Sequence, residues 1–131
     1  MTEKAEQPGV EVIVTAAAEV YRILGPGLPE KVYVECLTRE LSLRGVHVQS
    51  QVPVRLTYKG VRLDHETSLP LLVEGTVAVW VEALAELSSL HEARLRTCMK
   101  FGGWKQGVLL SFHVTRFEDG VRRLTATESD S

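Results

Sequence analysis

The chain is poor in the residues that announce a function. Its 131 residues include two cysteines, five prolines, two tryptophans, three tyrosines and three phenylalanines. Cys36 and Cys98 lie in separate helix-like segments with no C-x-x-C spacing. That excludes a zinc ribbon or dithiol motif and fits reduced core residues of a cytoplasmic protein better than a disulfide. No apolar run approaches the roughly 20 residues that span a bilayer. The polar start Met1–Gln7 has no apolar stretch followed by a cleavage site, so neither a signal peptide nor a membrane partner is expected. Neither charge sign dominates, with 15 basic and 17 acidic residues. This balance weighs against broad nucleic-acid binding, which usually goes with a basic domain. There is no glycine-rich phosphate loop and no serine or cysteine triad. His47, His65 and His113 fall in separate segments, and His91-Glu92 lacks the second histidine of a zinc-protease helix.

What is present is an ordinary globular composition, 44% hydrophobic and 24% charged, in a length that suits one domain with a real core. We expect a flexible arm over residues 1–8, a domain over 9–125 and a disordered tail over 126–131. Val10, Ile13, Val14, Ala17, Val20, Tyr21 and Leu24 follow a helical period, closed by Gly25-Pro26-Gly27. A second helix is predicted from Leu28 or Pro29, with Val32, Tyr33, Cys36, Leu37 and Leu41 inward and Arg44-Gly45 at its end. From Val46 to Tyr58 the period becomes two, interrupted at Pro53, as in a half-exposed edge strand. Lys59-Gly60 turns into a short segment Val61–Leu63, and Asp64–Thr67 reads as a polar connection.

Ser68 to Ala83 is the most apolar stretch and reads as two buried strands joined at Glu74-Gly75. Its few non-aliphatic side chains, Pro70, Trp80 and Glu82, fall where such strands would line a cleft. Ser89-x-x-Glu92 reads as a capping box opening a helix from Leu90 to Phe101. Glu92, Arg96 and Lys100 mark its outer face. Leu90, Arg94 and Cys98, flanked by Leu95 and Met99, mark the inner one. Gly107–Phe112 is a buried strand, and Asp119-Gly120 leads into a last strand, Val121–Thr125. A meander, a crossover helix and further strands give an α/β domain with a mixed sheet and helices on its faces.

Gly27-Leu28-Pro29-Glu30-Lys31-Val32-Tyr33 matches a GxxExxY signature. Further matching segments are Glu40-Leu41, Arg44-Gly45, Gln51-Val52-Pro53, Tyr58–Leu63, Val73-Glu74, His91-Glu92-Ala93 and Gly107–Phe112. On these residues the chain resembles the GxxExxY protein family, assigned to the PD-(D/E)XK nuclease-like superfamily. The resemblance implies a restriction-endonuclease-like core. It also implies a catalytic set in which an Asp on one strand and an (Asp/Glu)-x-Lys on the next hold Mg²⁺ at a scissile phosphate. Many relatives add Gln-x-x-x-Tyr on the following helix. At the corresponding positions this chain has Pro70, Trp80, Glu82, Arg94 and Cys98. Every one of the five is replaced, and only Glu30 remains among the carboxylates associated with the pocket.

Two readings stay open at each of these residues. Glu82 is either a metal ligand with Glu30 or Glu74, or the partner of Arg94, since a sequestered carboxylate needs a counter-charge. Trp80 is a base-stacking platform or a filler of vacated volume. Glu30 binds a cation or complements a helix dipole, and Tyr33 is a core residue before it is a catalytic acid. Arg116, Arg122 and Arg123 form either a basic patch or a solvated hairpin. The expectation is a nuclease-fold protein without catalysis and without a cofactor, acting as a binding or assembly module for itself or another protein. The alternatives are a divergent Mg²⁺-dependent nuclease acting on DNA or RNA, and a non-catalytic nucleic-acid binder.

Overall fold

A computed structural model describes residues 8–82 and 87–126. Helix α1 (Pro8–Leu24) leads through a short loop into α2 (Glu30–Leu43). Strands β1 (Val48–Tyr58), β2 (Val61–Val73) and β3 (Val77–Glu82) form a meander, α3 (Ser89–Gly102) crosses over, and β4 (Gln106–Ser111) and β5 (Val121–Thr125) follow. The sheet order is β1-β2-β3-β4-β5. Among these described strands only β3 and β4 are parallel; every other neighbouring pair is antiparallel.

A parallel pair cannot be closed by a hairpin, so the chain must cross a face of the sheet between β3 and β4. Both strands are therefore covered on two sides and read as near-continuous aliphatic runs. Val77, Val79, Val81, Val108 and Leu110 face α1 and α2, where they meet Val10, Ile13, Ala16, Ala17, Val20, Tyr33, Leu37 and Leu41. Ala78 and Leu109 face α3 and meet Leu95, Cys98 and Met99. Ala16 and Ala17 are the small residues of the α1 stripe, and both are fully buried.

Several local expectations shift in the structure. Pro8 begins α1 rather than ending an arm; residues 1–7 lie outside the described residues, as do 127–131 of the expected tail. Ala126 is described, and its N–H donates to Lys105 O. Helix α2 starts at Glu30, one or two residues later than predicted, because Pro29 has an extended ψ of 149°. The capping box of α3 uses Ser88 and His91, not Ser89 and Glu92: the Ser88 hydroxyl accepts from His91 N–H, and His91 Nδ1 accepts from Ser88 N–H. Glu92 is engaged elsewhere, with Arg122 of β5. Leu90 is 67% exposed instead of inward. The supposed polar connection Asp64–Thr67 is part of β2, which runs unbroken from Val61 to Val73. It pairs with β1, with Arg55 opposite Glu66 and Val54 opposite Thr67, and the register shifts between Arg55 and Thr57. Sequence periodicity could not show this strand, because Val61 to Ser68 are exposed at every position.

The β1–β2 hairpin also changes face partway along. Gln51 has a φ of +50° and lies opposite Pro70, between the pairs Ser50–Leu71 and Val52–Leu69. Val48, Leu71 and Val73 pack on the α1–α2 side, whereas Val52, Val54 and Leu69 pack on the α3 side. Leu69 and Leu71 are two apart and should share a face in a regular strand. One left-handed residue opposite a proline inverts the alternation in both strands. The tip closes at Lys59 and Gly60, whose φ values of +49° and +81° suit a two-residue primed turn.

Gly120 packs its backbone against the Ser111 carbonyl, and a Cβ there would overlap that oxygen. Gly120→Ala is therefore expected to destabilise the fold by about 2 kcal/mol, read as a lower denaturation midpoint with an unchanged slope.

Candidate functional site

The GxxExxY segment has a clear structural task. Gly27, at a φ of +103°, lets the α1–α2 loop double back. The Tyr33 hydroxyl then donates to Gly25 O at 2.6 Å and accepts from Leu28 N–H at 3.0 Å. Its ring is fully buried and stacks on Phe112 at 4.4 Å between centroids, tilted by only 3°. His113, next along from Phe112, brings Nε2 to 2.9 Å from Leu28 O, where the ring acts as donor to the carbonyl. Tyr33 thus staples the loop to the sheet. His113 is a partner that sequence reading misses, since nothing local links positions 85 residues apart.

This staple fixes the start of α2 and with it Glu30, the first helical residue. Glu30 comes close enough to Glu82, the last residue of β3, for their charges to interact. Burial, then the Glu82 charge, pushes the Glu30 carboxyl above the usual 4.5. Glu82 in turn meets Arg94 of α3, with Nη1 to Oε2 at 3.3 Å. The Glu82 side chain is 11% exposed and the Arg94 side chain 48% exposed. Arg94 is therefore at the rim of the sheet–helix contact, not on the inner line where helical spacing put it. Its guanidinium also lies 5.9 Å from the centre of the Trp80 ring, a cation–π contact. Trp80 packs on the α3-side cluster, and buried Cys98 lies in the same cluster, its thiol pushed up in pKa by burial.

Four of the five replaced positions thus converge on the α3 side of β3: Trp80, Glu82, Arg94 and Cys98. Pro70 does not join them. It lines a recess of about 450 Å³ on the α2 side together with Glu30, Lys31, Val34, Glu35 and Gln51. The β2–β3 ladder ends at Leu71–Val79, one step short of Pro70, which has no N–H to continue it. Glu74 is remote from both acids. It sits in the turn before β3, and its carboxylate accepts from His47 N–H at 2.9 Å. Arg122 and Arg123 point to opposite faces and each has a carboxylate, Glu92 for the first and Glu11 for the second. Arg116 flanks the 3-10 turn Phe117–Gly120 before β5.

A family model described as the PD-(D/E)XK nuclease superfamily matches residues 7–124. No curated protein matches the chain, and no solved structure does. The nuclease chemistry of that superfamily calls for a divalent metal, and the residues present do not fit one. Among the described residues no three His, Cys, Asp or Glu side chains converge on a point where an ion could sit. Of the carboxylates proposed for it, Glu74 serves a turn and Glu82 already faces a guanidinium.

Tyr33→Phe removes both hydroxyl bonds and strands the Leu28 N–H; a loss of about 1–3 kcal/mol is expected, measured by chemical denaturation. Glu30→Gln tests the other end of the arrangement. A glutamate whose folded pKa lies above its unfolded one carries no penalty below about pH 4.5 and its full penalty above the folded value. The substitution should therefore raise Tm more at pH 7 than at pH 4.

Proposed function

The chain belongs to the PD-(D/E)XK nuclease superfamily, and we propose that it keeps the fold without the phosphodiester chemistry, serving as a non-catalytic assembly module. The observation that carries this reading is the Glu82–Arg94 contact at 3.3 Å. Active relatives put a carboxylate and a lysine two residues apart on this strand, so that the acid holds a divalent cation and the lysine faces the attacking water. Here the acid's place is an indole, the lysine's place is an acid, and that acid is occupied by an arginine from the next helix. A guanidinium at this point repels an incoming Mg²⁺ and satisfies the carboxylate that would otherwise attract it. The strand position carries an acid where such relatives carry a lysine, and the helix position carries a cation where they carry a neutral glutamine, so the two changes complement each other.

The rest of the domain argues that the fold is still in use. The β3–β4 core is filled on both faces, and no buried side-chain polar atom among the described residues lacks a partner. Among the described residues, no helix is long and apolar enough to cross a membrane. A protein whose core is intact and whose metal clamp is gone acts through its surfaces, and self-association is the form of assembly we favour.

The test is a thermal melt with and without Mg²⁺ and Mn²⁺, run beside cleavage assays on DNA and RNA. A metal site at a hundredfold excess over its Kd would add about 2.7 kcal/mol and raise Tm by several degrees. The expected outcome is no shift and no cleavage. Metal-dependent cleavage that disappears in Glu82→Ala would overturn the reading.

A further inference from the structure

Helix α3 carries two overlapping start signals. Ser88-x-x-His91 is the one in use, and Ser89-x-x-Glu92 lies one residue further on. In either, a serine hydroxyl accepts from the N–H three residues on, and the side chain there reaches back to the serine N–H. The chain uses the first, although its acceptor is an imidazole nitrogen, and leaves Glu92 to Arg122 of β5.

The bond in use fixes the ionisation of its acceptor. His91 Nδ1 accepts from Ser88 N–H at 2.9 Å, so in this arrangement Nδ1 carries no proton. The Ser88 hydroxyl, also 2.9 Å from Nδ1, can accept from a protonated ring, but the Ser88 N–H cannot donate to one. A protonated ring also sets a positive charge among the unpaired N–H groups of a first helical turn. The turn itself is loosely held. His91 N–H reaches Ser88 Oγ only at 3.4 Å, and Ser88 O is shared between His91 N–H at 3.1 Å and Glu92 N–H at 3.3 Å.

Few charged or titratable groups surround the cap. The strands packed on α3 bring Glu82 on β3, Arg55 and Tyr58 on β1, and Arg122 and Arg123 on β5, while β4 brings none. Arg123 is turned to Glu11 of α1. The acids on this side, Glu82 and Glu92, each already hold a guanidinium, and His91 takes part in no ion pair among the described residues.

We infer that α3 has two alternative starts selected by protonation of His91: with the ring neutral the helix is capped at Ser88, and with the ring protonated the cap moves to Ser89 and draws Glu92 away from Arg122. Histidine ionises between about pH 5 and 8, whereas the glutamate of the second box remains an acceptor through that range. Acid therefore moves the start of α3 and frees a guanidinium on β5, the edge strand of the sheet. This inference rests on the geometry of the cap and stands apart from the assembly reading.

Three forms of the 131-residue chain test it. They are the wild type, His91→Gln, which supplies an acceptor at every pH, and Ser89→Ala, which removes the second box at an exposed position. Melts are run at about pH 7.5 and about pH 5.5, towards either end of the histidine range. The wild type is expected to lose about 2 °C more than His91→Gln on acidification, and Ser89→Ala about 2 °C more than the wild type. His47, His65, His113, Glu30 and Glu86 are common to all three, so the comparison isolates His91. In heteronuclear NMR spectra the Arg122 Nε–H signal should move with the His91 ring in the wild type and stay still in His91→Gln. Equal acid losses in the wild type and His91→Gln overturn the inference. So does an Arg122 signal that ignores His91, or a Ser89→Ala protein that melts like the wild type at both pH values, since either leaves no second start.

Discussion

The fold depends on burying the parallel pair β3–β4 from both sides. Val77 to Val81 and Val108 to Leu110 offer aliphatic side chains to two faces at once, so a single helical layer would leave half of them wet. At about 25 cal/mol per Å² of apolar surface removed from water, covering both faces outweighs any single polar contact in the domain. It requires α1 and α2 on one side and the α3 crossover on the other. The crossover then decides which residues can meet. It brings the start of α3 back to the C-terminal end of β3, and it is this return that sets Arg94 beside Glu82 and over Trp80. The local chemistry is a consequence of where the chain had to pass to close a parallel pair.

Much of this was legible because burial writes itself into period. The α1 stripe, the α2 stripe of Tyr33, Leu37 and Leu41, the β3 and β4 runs and the final Asp119-Gly120 turn were all visible as residue patterns. The Glu82–Arg94 contact was legible as well, since a low-exposure carboxylate on a strand demands a cation and the following helix offered one at the right turn. What stayed hidden has physical reasons too. His91 replaced Glu92 in the capping box because an imidazole nitrogen can accept from a backbone N–H, while Glu92 was drawn off by an arginine on β5. The link from His113 to the Gly25–Pro29 loop depends on tertiary geometry alone. The first half of β2 carried no alternation because neither of its faces is buried, and a strand that packs on nothing looks like a loop.

The pairing of Glu82 with Arg94 is modest as a source of stability. One head is half exposed, and pairs of that kind are worth about 1 kcal/mol or less. Glu82 lies near a second carboxylate, Glu30, and the arginine on the next helix supplies the counter-charge beside it. The raised pKa of Glu30 comes first from burial and then from the Glu82 charge, and Glu30 has no cation of its own among the described ion pairs.

The β1–β2 hairpin falls into two regimes of constraint. On the body side, each strand position answers to neighbours above and below, and a change at Leu71 or Val73 is felt in α1 and α2. On the far side, from about Thr57 to Thr67, residues answer mainly to the strand opposite. The inversion at Gln51 and Pro70 hands the hairpin from the α1–α2 core to the α3 core, where Val54 and Leu69 are still buried. Substitutions from Thr57 to Thr67 can therefore be made without renegotiating the core. That freedom puts the positions most open to change in a part of the sheet that packs on neither helical layer.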